Sequence, residues 1–405
     1  MEQFRITRLG HHGDGIAEGP LFAPLTLPDE IITGTVDGKT ITDIKIVTPS
    51  DQRVKPICTH YKSCGGCQLM HAADDFVAQW KVDVVKTALA AHGIETDLRP
   101  CLTSPTGSRR RATFSARRTK KGASVGFHAR GSDVIVEIPN CKLLTPALIA
   151  AQPVIAELTK ITASRKGELS VSVTQTANGL DISVTGGRDL DGPLHIILGQ
   201  FCETHKFARL SWNDDTVALR AAPIQTFASV QVVPPAGSFL QATKEGEQDL
   251  VTTVADIVGT APKIVDLFSG CGTFSLPLAH KAEVHAVEGS AAMIAALDQG
   301  WRKSTGLKKV TSEARDLFRR PLLPDELNKF DAIVIDPPRA GAEAQIAEIA
   351  GSTVSKIAYV SCNPTTFARD AAQLISAGYS LTLVQTVDQF RWSSHIELVA
   401  AFERI

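Results

Sequence analysis

The 405-residue chain reads as an α/β protein. It has a doubly wound, Rossmann-like sheet in its C-terminal part, a small N-terminal β-barrel and a mixed central region. Three observations predict this. Residues 241–405 alternate strand-like and helical runs, the pattern of a mostly parallel sheet covered on both faces. Residues 1–52 break into short strand-like runs (FRITRL, GIAEG, LFAPL, EIITGTV, ITDIKIV) punctuated by glycine and proline, which suits a small barrel. Residues 53–240 carry a cysteine cluster, one helical stretch near 74–92, a basic segment and the alternating strands ELSVSVTQ and GLDISVTG. The expected domains are therefore 1–52, 53–240 and 241–405.

Composition narrows the class. Hydrophobic residues at 43% and charged residues at 21% exclude a disordered, collagen-like or coiled-coil chain. No run of about 18 apolar residues is present, so no membrane span is expected. The opening MEQFRITRLGHHGDG lacks the apolar core of a secretory signal. The expectation is a cytoplasmic monomer with no evident protein partner. Eight cysteines are too few for a disulfide scaffold, and in a reducing compartment clustered ones read as metal ligands or catalysts.

The net charge of −1 hides an asymmetry. Residues 98–132 contain no acid and nine basic residues: Arg99, Arg109, Arg110, Arg111, Arg117, Arg118, Lys120, Lys121 and Arg130. Phe114 and Phe127 lie among them. Basic side chains interleaved with aromatics suit a nucleic-acid groove, where charges meet phosphates and rings stack on bases; a solvated charged hairpin is the plainer alternative.

The C-terminal strands are KIVDLF, EVHAVE, KVTSEA, FDAIVID, KIAYVSC, LTLVQTV and HIELVAAFE. The first runs into Asp266-Leu267-Phe268-Ser269-Gly270-Cys271-Gly272-Thr273-Phe274. Gly270 and Gly272 allow a sharp turn and close approach of backbone to ligand. The second strand ends in Glu288, 22 residues after Asp266, placed to accept ribose hydroxyls. Ser275 stands where a dinucleotide site would have its third glycine, so adenosine without a pyrophosphate fits better. The fourth strand ends in Asp336-Pro337-Pro338-Arg339, whose prolines stiffen the chain at the ligand edge of the sheet. The fifth ends in Ser361-Cys362-Asn363-Pro364. A thiol there is a candidate nucleophile if a positive or helix N-terminal environment lowers its pKa. In the last, alternation puts His395 and Glu397 on one face, and a carboxylate there suits a general base.

Together, DLFSGCGTFSLPLA, VEGS, DPPR, SCNP and HIE resemble the S-adenosylmethionine-dependent RNA 5-methyluridine methyltransferases, over nearly the whole chain. The resemblance implies Cys362 as the nucleophile that adds to uracil C6 and Glu397 as the base that removes the C5 proton. It implies cofactor contacts at Gln241, Phe268, Gly270, Thr273, Glu288, Asp316 and Asp336. The family usually has asparagine at the position of Thr273, so the amide contact is lost here. The N-terminal region resembles the family's TRAM barrel, an OB-like fold.

CTHYKSCGGCQLMH is similar to the family's iron–sulfur motif. Its cysteines are spaced C-x5-C-x2-C: Cys58, Cys64 and Cys67. The resemblance points to Cys141 as the fourth ligand of a [4Fe-4S] cluster, while spacing alone leaves Cys101 as a rival and zinc as an alternative metal. The methyl transfer needs no electrons, so a structural or RNA-positioning role is expected for the cluster. Both barrel and cysteine motif point to the 23S rRNA branch, with RNA as partner. The alternatives are a tRNA uridine-C5 methyltransferase and a non-catalytic iron–sulfur RNA-binding protein. The second would not need Cys362 and Glu397 beside an intact cofactor loop. An exocyclic-amino methylase would carry an aromatic where Arg339 stands, and a 5-methylcytidine enzyme a second cysteine after the fourth strand.

Overall fold

The computed structural model describes residues 2–404. The strands Glu2–Leu9, Gly15–Ala17, Leu21–Ala23, Ile31–Asp37 and Thr40–Thr48 close into a five-stranded barrel. Alternation turns Ile6, Ala17, Ala23, Ile32 and Ile41 into its interior, and closure leaves no free edge.

The middle of the chain builds a seven-stranded sheet. Glu168–Thr176 lies at its centre, antiparallel to Arg111–Arg118 on one side and Gly179–Thr185 on the other. The helices Pro146–Thr162 and Gly192–Thr204 pack Leu148, Ile155, Leu194 and Leu198 into one core with Val171, Val184 and Trp212.

The C-terminal sheet has eight strands, in the order Val310–Ala314, Glu283–Glu288, Lys263–Leu267, Ala332–Ile335, Lys356–Ser361, Glu397–Arg404, Tyr379–Asp388, Arg99–Thr103. The first five are parallel, and Glu397–Arg404 is antiparallel to both its neighbours. Helices cover both faces, giving two separate cores, one centred on Val334, Val360 and Leu297 and the other on Ile335, Tyr359 and Phe402. Strand order reverses between Lys263–Leu267 and Ala332–Ile335. At such a switch point the connecting loops run to opposite faces and a crevice opens beyond the strand ends. Loops 268–274 and 336–339 line it. Among the described residues no helix is long and apolar enough to cross a membrane.

The domain layout differs from the expected one at residues 74–103. The helix Asp74–Ala90 buries Val85 and Leu89 against the C-terminal sheet, each fully buried side chain contributing about 1.5–3 kcal/mol. Its first turns pack Val77 and Trp80 with Leu9, Leu27 and Leu69. Arg99–Thr103 then joins the far edge of that sheet, parallel to Tyr379–Asp388. Composition gives no sign of this. The strand is short, mostly exposed and without apolar alternation, and a helix's apolar stripe does not name the sheet it covers.

Candidate active site

The strand Lys263–Leu267 feeds a loop with left-handed backbone at Phe268, Gly270 and Gly272 (φ +62°, +56° and +95°). A Cβ on Gly270 would meet no atom within 4 Å, whereas one on Gly272 would strike Leu276 at 2.8 Å. The loop thus offers bare backbone to open space on one side and packs tightly on the other, a cradle that suits an adenosine. Phe268 adopts its conformation without glycine's freedom, at a cost of about 1–3 kcal/mol. The neighbouring backbone bonds Ser269 N–H to Val287 O (3.1 Å) and Asp336 N–H to Leu267 O (3.1 Å) hold it there.

Of the residues expected to hold the cofactor, Glu288 and Asp336 bond to this loop or its strand, and Asp316 adjoins it through Phe318. Glu288 accepts the Gly270 N–H on Oε2 (3.1 Å) and the Ser290 N–H on Oε1 (2.9 Å), so it shapes the cradle as well as facing it. Asp316, beyond the neighbouring strand, accepts the Phe318 N–H (3.0 Å). The Phe318 ring lies 5.5 Å from that of Phe268. Phe318 is 49% exposed and went unforeseen; its only sign in the sequence is its place two residues after Asp316. Thr273 is half-buried in the turn that follows Gly272. Gln241 is buried and accepts from the Gln389 amide (2.5 Å), while Gln389 accepts the Ala242 N–H (2.7 Å). Asp266 is fully buried. One of its oxygens accepts from Ser275 Oγ and the other has no partner. Burial pushes its pKa up to about 7. Asp336 is likewise raised to about 7, by desolvation first and then by Asp266 and Glu288.

The antiparallel ladder ends with Ser361 paired to Leu398, so Cys362 and Glu397, the residues just beyond that pair, are brought near each other, close enough for the Glu397 charge to act on the thiol. Glu397 is buried, and its carboxyl is held well above the usual range by desolvation and then by Asp336, against the pull of Arg339 and Lys81. The half-buried Cys362 thiol is pushed up to about 12 by burial, then by Glu397 and Asp336; Arg339 opposes. The expected lowering is therefore not seen. The helix Pro364–Ser376 does begin beside Cys362, with Asn363 as its cap (3.1 Å from the Thr365 N–H). Two carboxyls and a dry setting outweigh it. Nor do His395 and Glu397 share a face. His395 lies in the exposed loop before the strand, bonded through Nδ1 to Arg339 (2.8 Å).

Behind this pair, Lys81 is fully buried in an ion pair with Asp388 (2.6 Å). Removing one partner of such a pair costs about 3–5 kcal/mol. The sequence did hold a signal, for Val77, Lys81, Val85 and Leu89 recur every four residues and put a lysine on the helix's apolar face.

The four expected metal ligands Cys58, Cys64, Cys67 and Cys141 line one pocket with Tyr61, Met70, Arg109, Phe127 and Leu143. Cys101 lies apart, on the sheet-edge strand, where Asp388 and Lys81 are its charged neighbours. A Cβ on Gly65 would come within 2.8 Å of His128 O, so only glycine lets the cysteine loop press against the central sheet. Among the described residues no group of three or more His, Cys, Asp or Glu is placed to hold a metal ion, so the expected metal centre is not shown.

The basic segment is less open than expected. Arg110 is buried against Glu247 (2.6 Å), Arg117 pairs with Glu168 (2.7 Å) and Arg130 with Asp14 (3.1 Å). Phe114 has no exposure and stacks on Phe127 at 5.5 Å within the core, so Phe114 does not meet bases. Strand alternation explains Phe114, since every second residue of 111–118 faces the helices; the arginines are covered by partners from elsewhere in the chain. Arg99, Lys120 and Lys121 remain exposed, and Arg111 sits 5.3 Å over the exposed ring of Phe239, two residues before Gln241.

A family model described as tRNA (Uracil-5-)-methyltransferase matches residues 228–405. An uncharacterized RNA methyltransferase of Mesorhizobium japonicum is 43% identical, with 99% of this chain and 98% of that protein aligned. The chain belongs to this RNA methyltransferase family. Another member, the 23S rRNA (uracil(1939)-C(5))-methyltransferase of Shewanella piezotolerans, is 33% identical over 98% of this chain and 94% of its own. The family fold is seen in the crystal structure of the Pyrococcus abyssi tRNA (uracil-54, C5)-methyltransferase with S-adenosyl-L-homocysteine. That structure matches with a TM-score of 0.76 at 22% identity, covering 98% of this chain and 99% of its own. Because a tRNA enzyme shares the fold over its whole length, the N-terminal barrel does not by itself separate an rRNA methyltransferase from a tRNA one.

Proposed function

We propose that this methyltransferase transfers a methyl group from S-adenosylmethionine to C5 of a uridine in 23S rRNA, through a covalent adduct on Cys362. The observation that supports the reading is the pairing of Ser361 with Leu398, which draws the chain positions of Cys362 and Glu397 together near Asp336. The 33% identity to the 23S rRNA enzyme favours ribosomal RNA, and the full-length match to the Pyrococcus enzyme keeps tRNA as the second reading.

Uracil C5 is a weak nucleophile. Sulfur of Cys362 bonds to C6, and the C5–C6 π electrons move toward O4 as an enolate, which makes C5 reactive. When bound, S-adenosylmethionine would supply the electrophilic methyl that C5 takes up, the sulfur–methyl bond pair staying on the sulfur of the departing S-adenosylhomocysteine. Glu397 then accepts the C5 proton. The C5–H electron pair re-forms the ring double bond as the C6–sulfur bond breaks, and sulfur returns to Cys362. Gln241, Phe268, Gly270, Thr273, Glu288, Asp316 and Asp336 would hold the cofactor. An embedded uridine must also leave its stack, which favours a loop target. Labelled S-adenosylmethionine, offered with unmodified 23S rRNA and with unmodified tRNA, tests the proposal. Label recovered as 5-methyluridine in the rRNA supports it, label in tRNA alone moves the substrate, and label in neither rejects it.

Cys58, Cys64, Cys67 and Cys141 are the residues that would hold a [4Fe-4S] cluster; what supports this reading is their C-x5-C-x2-C spacing and the single pocket that all four line. A bound cluster would tie the loop of Cys58, Cys64 and Cys67 to Cys141, in the segment before the helix Pro146–Thr162. Cys141→Ala should strip the iron and sulfide from anaerobically purified protein and erase its visible absorbance, whereas Cys101→Ala should leave both unchanged. Equal iron content in the two variants would reverse the ligand assignment, and stoichiometric zinc in the parent would replace the cluster.

A further inference from the structure

The loop 389–396 joins the last two strands and delivers Glu397 to the site. We infer that Lys81, far away in sequence on the helix Asp74–Ala90, is a positioning residue that fixes this loop and thereby the aim of Glu397. Its Nζ is completely buried and reaches both ends of the loop. It donates to Asp388 Oδ1 (2.6 Å) and Phe390 O (3.2 Å) at the start, and to His395 O (2.8 Å), two residues before Glu397, at the finish. One ammonium with three donors thus closes the loop like a clasp. Asp388 also accepts the Phe390 N–H (2.9 Å), so the ion pair shapes the first turn.

The outer rim of the loop is held independently. Gln68 and Leu69 donate their N–H groups to Trp392 O (2.8 and 2.9 Å), and Trp392 carries a left-handed backbone (φ +59°). The Trp392 indole donates to Asp74 Oδ1 (2.9 Å). Losing Lys81 therefore leaves the loop attached at its crest but frees the end that meets Glu397. A hydrophobic residue would fill the same volume and no such charge would have to be buried, so packing alone gives no reason for a lysine here. The Lys81 charge also acts on the Glu397 carboxyl.

This inference rests on Glu397 being the base that resolves the adduct. A misplaced base slows proton removal while leaving addition of Cys362 intact. Displacements near 1 Å cost about a hundredfold in such steps. The test compares Lys81→Met, Asp388→Asn and the double variant with Glu397→Gln, measuring kcat, KM for S-adenosylmethionine and the fraction of enzyme trapped on RNA. Asp388→Asn keeps volume and the acceptor for Phe390, and in the double variant no buried charge is left alone. We expect the double variant to fold, to keep its KM for the cofactor, to lose about 10- to 100-fold in kcat and to accumulate adduct. Parental kcat with no accumulation overturns the positioning role, as does failure of all three Lys81 and Asp388 variants to fold, which would make the pair a determinant of the fold. If Glu397→Gln itself accumulates no adduct, the base assignment fails instead, and the two failures are told apart.

Discussion

Cys362→Ala is expected to abolish methyl transfer and, with it, every covalent link between protein and RNA. The loss should exceed about 10⁴-fold, because removing the nucleophile from a covalent mechanism removes the path and not one contribution to it. Cys362 belongs to none of the apolar cores, so the variant should melt close to the parent and still bind cofactor. Denaturing gels with end-labelled RNA read the adduct directly. A band that persists in the variant would assign the nucleophile elsewhere. Burial and two carboxyls push this thiol up to about 12, and the Arg339 charge opposes that rise and favours the thiolate.

Glu397→Gln should do the opposite to the adduct. Addition and methylation proceed, the C5 proton stays, and methylated RNA remains attached to Cys362. Turnover falls by about 10²- to 10⁴-fold, the usual range for a lost general base. Glutamine matches glutamate in volume and carries no charge into a buried place, so the fold should tolerate it. The pH dependence follows from the directions of the shifts. Glu397 and Cys362 are both raised, and both act deprotonated, so the rate should climb with pH and be lost progressively as pH falls. In the glutamine variant the release step should become insensitive to pH. Single-turnover rates of adduct formation and release across the pH range separate the two groups, and a release rate in the parent that is flat with pH would count against Glu397 as the base.

Much of this site could be read from the chain alone, and for a physical reason. Glycine at 270 and 272, Asp336 before two prolines, and Cys362 at a strand end are local constraints, each visible within a few residues. The alternating strands and helices of 263–404 carried the sheet in the same way. What the sequence did not disclose depends on long-range geometry. The thiol's environment is set by burial and then by Glu397, which is distant in sequence and brought near by the pairing of Ser361 with Leu398. Phe114 looked like a stacking ring because basic residues flank it, but alternation turns it inward. Arg110 sits in a run of three arginines, yet its partner Glu247 lies 137 positions later, on the helix Lys244–Val258. His395 fell outside the strand on which its pairing with Glu397 depended. The Lys81 clasp needed only the helical period to be noticed, though not its partners.

The edge strand Arg99–Thr103 has one more implication, for how the molecule is made. It docks beside Tyr379–Asp388, and Gln385 Nε2 donates to Pro100 O across 285 positions of chain. Closing so large an interval costs about 5 kcal/mol in chain entropy, and long-range pairings of this kind slow folding. On the ribosome, the early segment has no strand to pair with until Tyr379–Asp388 has emerged. Catalytic competence therefore arrives late and all at once, and severing the chain anywhere between those two strands yields fragments of which neither holds a finished sheet.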